Sequence, residues 1–426
     1  MLAFYKTKIR LLVLTDISSL TPGVGEPDDT QSLVRLLLYS NHFDIEGLIA
    51  TYTEHEKGNV NVGYLEEIVR KYGKVRNSLV RHSKDYPEEK QLLQCIKAGS
   101  PYCGMERVGM NMDTEGSDWI IHVVDQADSR SVWITIWGGA VDLAQALWRV
   151  KKERPKPQFQ EFAKKIRVYS IMDQYDMAGP WIRENCPEIF YITSYLAFRG
   201  MYKGKDTSMV SKRWVDVHLN KGHGPLGNAY PNYDGGDCWG PVKGVKEGDT
   251  PSFLYLIPNG LGSPEHPDWG SWGGRFAGKG KQYFDSKNEE GGEMATVHRW
   301  VKDYQRSFQA RMDWCTKSYE EANHEPVVVI DSPEVINVKY GDTVILSAKE
   351  SYDPDGDMLS YKWWIYKEAG SYEGELELSG ENEEEVTVKI PDGVQSGSVH
   401  IILSLSDDGE PVLTSYSRII LNINSL

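Results

Sequence analysis

Hydrophobic positions fall into two rhythms along the chain, and the change of rhythm divides it. In roughly the first three quarters, unbroken apolar runs alternate with segments of helical spacing. Leu11 to Leu14 form one run, Leu48 to Ala50 lie in a second over 45–52, S-V-W-I-T-I-W over 131–137 is a third, and 166–171 is a fourth. Short unbroken runs bounded by polar or glycine-bearing turns predict parallel strands covered on both faces. Between them, Leu33, Leu36 and Leu37 recur at helical spacing behind Asp28 and Asp29. Further helices are expected over 64–71, 90–97, 118–126 (with Ser117 as its N-cap), 140–147 and 294–317. Strands alternating with helices predict a doubly wound, mostly parallel α/β sheet. Beyond the polar stretch 323–326 the rhythm shortens to runs such as V-T-V-K-I and V-H-I-I-L-S-L-S. About 100 residues of that kind predict an all-β immunoglobulin-like sandwich. The expected domains are 1–322 and 323–426, the second separable from the first.

Sheets of the first kind bind ligands outside the carboxyl ends of their strands, so the polar residues that end each run are the candidates. Asp16 ends the first run. Asp28 and Asp29 open the next helix, after a loop broken by Pro22, Gly23, Gly25 and Pro27. Acids at a helix start are favoured by the helix dipole, which accounts for Asp28 or Asp29 but not for Asp16. Three clustered carboxylates repel one another unless a cation sits among them. One reading is a hard divalent ion, Ca²⁺ before Mg²⁺ if most ligands come from protein; the other is structural acids. Glu54 and His55 follow the second run, Trp137 with Gly138 and Gly139 ends the third, and Gln174, Tyr175 and Asp176 follow the fourth. Asp249 precedes the apolar run 253–257 and can equally serve as its cap. His223, inside G-H-G-P-L-G, is either a proton donor to a leaving group or an anchor of its own loop.

A net charge of −15 disfavours nucleic acid and anionic membranes as partners, and suits neutral sugars and cations. The 13 Trp and 24 Tyr serve sugar stacking and a large core equally well. Five cysteines without a C-x-x-C pair argue against a zinc site, and leave a Cys95–Cys103 disulfide conceivable. No run is long enough to span a membrane. The N-terminal residues lack a signal-peptide pattern, which leaves a cytoplasmic protein or one whose signal peptide has been removed. A homo-oligomer is open.

Several phrases carry a resemblance. E-P-D-D-x-x-S-L-V-R-L-L, G-P-W-I-R-E-N-x-P, G-H-G-P-L-G, E-G-D-T-P-S-F-L-Y-L-I and W-G-G-R-F resemble a divergent nucleoside-hydrolase-like branch with a C-terminal cadherin-like sandwich, often labelled cellulose-binding. Leu14-Thr15-Asp16 and Asp28-Asp29 are similar to the two ends of the nucleoside hydrolase motif D-T-D-P-G-x-D-D. Leu14 replaces its first aspartate, and 11 residues separate Asp16 from Asp28. The resemblance implies Ca²⁺ held by Asp16, Asp28, Asp29, Asp249 and the Trp137 carbonyl, with Asp16 also acting as general base. It places Glu54, with His55 beside it, and Gln174 and Asp176 at sugar-binding positions, where Q-Y-D stands for the family's E-F-N. It implies hydrolysis of a glycosidic or N-glycosidic bond in a sugar, oligosaccharide or nucleoside, and it favours a secreted or periplasmic protein. The competing reading is a carbohydrate-binding protein that keeps this site without turnover.

Overall fold

The computed structural model describes residues 7–21, 26–55, 57–175, 177–237, 240–392 and 396–424. Strands β1 (Ile9–Thr15), β2 (Phe43–Ala50), β3 (Ile96–Ala98), β4 (Val132–Ile136), β5 (Ile166–Ile171) and β6 (Phe190–Ser194) run parallel in one sheet. Strands β7 (Tyr233–Asp237) and β8 (Gly240–Gly244) form a separate hairpin, while β9 (Phe276–Lys279) and β10 (Gln282–Asp285) complete the large sheet. Its order is β3-β2-β1-β4-β5-β6-β10-β9, with only β9 antiparallel to its neighbour. The unbroken run in β1 is explained by this burial. Leu11 and Val13 enter the core on one side of the sheet, and Leu12 and Leu14 the core on the other.

The chain winds outward from β1 through β2 to β3, then returns to place β4 on the far side of β1. The strand order therefore reverses between β1 and β4, and such a reversal opens a crevice at the carboxyl ends. Asp16 and Trp137 emerge there from β1 and β4. Gly138 permits their approach, since a Cβ at that position would lie 2.6 Å from the Asp16 Cβ.

Four local expectations change. The helix expected over 64–71 runs Val62–His82, and the one expected over 90–97 is Glu89–Gln94, which frees Ile96–Ala98 to form the edge strand β3. The helix expected from residue 118 begins at Glu115, because Thr114 is the cap and Ser117 closes the capping box. The helix expected over 294–317 breaks into Ala295–His298 and Val301–Asp313. Cys95 and Cys103 are both free thiols, not a disulfide. Among the described residues no helix is long and apolar enough to cross a membrane.

The C-terminal part is the expected sandwich. Strands β11 (Val335–Lys339), β12 (Thr343–Ser347), β13 (Ser360–Ile365), β14 (Glu377–Ser379), β15 (Glu385–Lys389), β16 (Gly397–Ser406) and β17 (Thr414–Asn424) form sheets β11-β17-β16-β13 and β12-β15-β14. Trp363, Leu346, Val386 and Leu403 pack between them. The outer face of the four-stranded sheet does not meet solvent throughout. Tyr366, Ile402 and Tyr416 join the hydrophobic core of the α/β domain. The Tyr416 hydroxyl donates to Asp303 at 2.5 Å, and Arg418 donates to the carbonyls of Leu261 and Trp269. Glu289, fully buried, pairs with Arg275 and Arg299 and accepts from the Tyr366 hydroxyl. The linker suggests a separable sandwich, whereas across the seam the two parts share a core and a buried polar network.

Candidate functional site

At the crevice between β1 and β4 lies a pocket of about 100 Å³, lined in part by Asp16, Asp28, Asp29, Trp137, Gln174 and Asp249. Asp28, Asp29 and Asp249 present oxygens that all lie within 4.8 Å of one another. Asp29 accepts from the Thr15 hydroxyl, and Asp16 accepts from the Tyr175 hydroxyl. Asp249 Oδ2 is buried with no partner. Burial pushes the Asp16 carboxyl up to about 6, against the partial relief of its Tyr175 hydrogen bond. Burial, then repulsion from Asp16, pushes Asp28 up to about 7. Asp29 and Asp249 rise well above the usual carboxylate range, through burial first and then repulsion from neighbouring acids, Asp16 foremost at Asp29 and Asp29 foremost at Asp249.

Buried carboxylates facing one another, one with an oxygen bonded to nothing, form an energetically costly arrangement that a positive charge would relieve. The donors are all hard oxygens, which fits Ca²⁺ or a similar divalent ion. Trp137 lines the same pocket; its carbonyl accepts from the Gln174 amide, while its indole donates to Ser252 Oγ at 2.9 Å.

The acids are held from behind. Gln31, one turn into the helix Asp28–Leu38, accepts at Oε1 from the backbone amides of Lys246 and Glu247. One further turn along, Arg35 pairs with Glu247 at 2.6 Å, both side chains fully buried. The helix that carries Asp28 and Asp29 is thereby stitched to the loop that carries Asp249. On the other side, the segment after β5 holds Met172, Asp173 and Tyr175 at φ of 67°, 48° and 68°. Such left-handed backbone is costly for residues other than glycine. Asp173 secures it by pairing with Arg183 and accepting from the Tyr191 hydroxyl at 2.8 Å. The result aims Gln174 and Tyr175 at the pocket.

Residues 10–276 match the family profile described as "Cellulose-binding Sde182, nucleoside hydrolase-like domain". The chain belongs to this family. Residues 343–423 match its companion profile, "Cellulose-binding protein Sde0182, C-terminal domain". The chain is similar to a solved nucleoside hydrolase-related hypothetical protein from Saccharophagus degradans that is associated with carbohydrate metabolism. Identity is 35%, the match covers 98% of this chain and 100% of that one, and the TM-score is 0.84. No curated protein matches.

In this member of the Sde182 family, the expected residues separate into groups. Asp16, Asp28, Asp29, Asp249, Trp137 and Gln174 come together in the pocket. Glu54 and His55 are exposed and do not line it, although His55 Nε2 lies 3.9 Å from Glu26, which does. Asp176 lies outside the described residues. His223 also lines no part of the pocket. Its Nε2 lies 2.8 Å from Asp313 Oδ1, so the ring occupies the anchoring role of the two open to it. Sequence reasoning missed Tyr175 as a partner of Asp16, and it missed the two cations of the pocket wall, Lys246 and Arg199. Lys246 pairs with Glu26, and burial lowers its ammonium to about 8. The missed signal was proximity: Lys246 stands three residues before Asp249, and Glu26 two before Asp28.

Proposed function

We propose that this protein is a Ca²⁺-dependent hydrolase of a glycosidic or N-glycosidic bond, acting on a sugar or nucleoside-like substrate in the carboxylate pocket. The observation that carries the reading is the unpartnered buried oxygen of Asp249 among Asp28 and Asp29. Asp16, Asp28, Asp29, Asp249 and the Trp137 carbonyl would hold the ion. When bound, Ca²⁺ would supply a Lewis acid that polarises water and neighbouring sugar hydroxyls.

The chain's own residues supply the rest. Asp16 accepts the proton of the attacking water, with its second oxygen fixed by the Tyr175 hydroxyl. Water adds to the anomeric carbon as the bond to the leaving group breaks. With Asp28, Asp29 and Asp249 given to the ion and Glu26 paired with Lys246, no second carboxylate among the described residues stands as an evident nucleophile, so inversion is the expected outcome. Lys246, a lysine in the pocket wall with a readily released proton, is placed to protonate the departing atom. A secreted or periplasmic location accords with a carbohydrate substrate.

The second reading, a carbohydrate-binding protein without turnover, draws on a specific observation. Gln174 already occupies the Trp137 carbonyl, and Leu14 stands where hydrolases carry an acid. Nucleosides and plant-wall oligosaccharides assayed for product with Ca²⁺ and with EDTA separate the two. Ca²⁺-dependent product supports the hydrolase, and sugar-dependent stabilisation without product supports the binder.

A further inference from the structure

Two histidines from distant parts of the chain meet where the linker enters the sandwich. His82 ends the helix Val62–His82, and His324 lies in the polar stretch 323–326. His82 Nδ1 and His324 Nε2 are 2.9 Å apart. Beyond them, His82 Nε2 lies 3.2 Å from the carbonyl oxygen of Lys317, and His324 Nδ1 lies 3.0 Å from both carboxylate oxygens of Asp355. Asp355 belongs to the sandwich, in the turn D-P-D-G-D between β12 and β13, and it also accepts from the His324 backbone amide at 2.8 Å. Aromatic rings hold both imidazoles. His82 stacks on Trp314 with 3° between the ring planes, and His324 stacks on Tyr319 with ring centres 3.9 Å apart. All four ring nitrogens have a partner, so neither ring turns over without losing bonds.

The protons of this row can be counted. From the Lys317 carbonyl through His82 and His324 to Asp355 it contains three hydrogen bonds, with an acceptor at each end. Each bond needs one proton, and two neutral imidazoles bring only two. The third makes one ring an imidazolium. A fourth would set N–H against N–H at the centre. Burial, opposed in part by the Lys317 carbonyl and reinforced by His324 and Arg81, lowers His82 to about 4. The extra proton therefore resides on His324, facing the carboxylate. The other charged groups nearby are engaged elsewhere. Lys317 turns its ammonium to Asp313 at 3.1 Å, Glu321 accepts from the Ser318 amide, Asp353 accepts from the Asp355 and Asp357 amides, and Asp407 accepts from the Asn323 side chain. Burial raises the Tyr319 phenol, so it stays neutral.

We propose that this row is a one-proton clasp: it closes the linker end of the domain seam while the two rings share three protons, and it opens when the third leaves as pH rises. Once that proton is gone, two acceptors face each other at one of the three bonds. The clasp shares no residue with the carboxylate pocket and stands whether or not that pocket turns over.

The test is hydrogen–deuterium exchange of the full-length protein from pH 5.5 to pH 9, corrected for the intrinsic rate at each pH and read over residues 318–327. Protection is expected to fall at least about tenfold between the two limits, the scale of one hydrogen bond to a charged group. Histidine ¹⁵N spectra at pH 5.5 are expected to show His324 as an imidazolium and His82 as a neutral ring. Asp355→Asn puts an amide donor where the carboxylate stood, so two neutral rings complete the row. In that variant protection should persist and lose its pH dependence, an outcome that loss of a merely structural contact would not produce. His324→Ala should be as poorly protected at pH 5.5 as wild type is at pH 9. Protection flat in pH for wild type, two neutral rings at pH 5.5, or a pH dependence that survives Asp355→Asn overturns the proposal.

Discussion

Replacing Asp28 by Asn should stabilise the metal-free protein and remove its response to Ca²⁺. Burial and the nearby Asp16 push the Asp28 carboxyl from 3.8 up to about 7. A folded-state value above the unfolded one means that the native state binds this proton more tightly. The stability associated with it is complete below about pH 4 and is lost as pH rises through about 7. At pH 8 the ionised Asp28 therefore costs the fold an amount bounded by a gap of about three pH units, or roughly 4 kcal/mol at about 1.36 kcal/mol each. Asn removes that penalty but gives up the favourable interaction of an acid in the first helical turn, about 0.3–1 kcal/mol.

A net gain of up to about 3 kcal/mol remains. With an unfolding entropy near 2.1 cal/mol/K per residue, a chain of this length gains about 1 °C in Tm for each kcal/mol. The assay is a thermal melt of wild type and Asp28→Asn in EDTA and in Ca²⁺, from pH 5 to pH 9. In EDTA the variant should melt up to about 3 °C higher at pH 8, and the gap should close towards pH 5. In Ca²⁺ at 100 times its Kd, wild type should gain about 2.7 kcal/mol and the variant much less, so that the gap between them closes or reverses. A variant less stable than wild type in EDTA at every pH would refute the view that these acids repel one another. Identical Ca²⁺ responses would refute Asp28 as a ligand.

Three further outcomes follow from the same geometry. Asp16→Asn keeps the shape of the side chain and one oxygen, so turnover of any substrate cleaved by wild type should fall about 10²–10⁴-fold with Ca²⁺ content, measured on the same sample, retained. Tyr175→Phe removes a hydrogen bond that lowers the Asp16 value from where burial alone would put it; the acidic limb of the pH–rate profile should move to higher pH, and a fixed limb would exclude Asp16 as its source. Glu289→Ala strips the partner from two arginines at the domain seam and should cost about 3–5 kcal/mol in a denaturant titration.

The parts of this fold legible in the sequence were those written locally. The run 11–14 announced a strand buried on both faces, and Asp16, Asp28 and Asp29 flanked a loop whose ends the sheet brings together. Asp249 was legible only through its likeness to a family motif, because more than 200 residues separate it from its partners and nothing in its own neighbourhood distinguishes a ligand from a cap. Strand β3 has three residues, too few to show any period. Tyr175 was read as one letter of a motif; its hydroxyl reaches Asp16 because of left-handed backbone that no propensity predicts. The shared domain core had a visible trace. Trp363 and Trp364 are adjacent in β13, so one must face each side of the sheet, and Trp364 faces the seam while Trp363 faces the sandwich core.

Gln31 and Arg35 tie the helix bearing Asp28 and Asp29 to the loop bearing Asp249 without any help from an ion. The cluster is therefore assembled when the chain folds, rather than when a cation arrives. An ion bound there as proposed would need dehydration and little ordering of the chain, so its association rate would be set by how quickly water exchanges at the metal and not by a slow closure of protein segments. Its release would leave these ties in place, so depletion and reloading would be fast and repeatable.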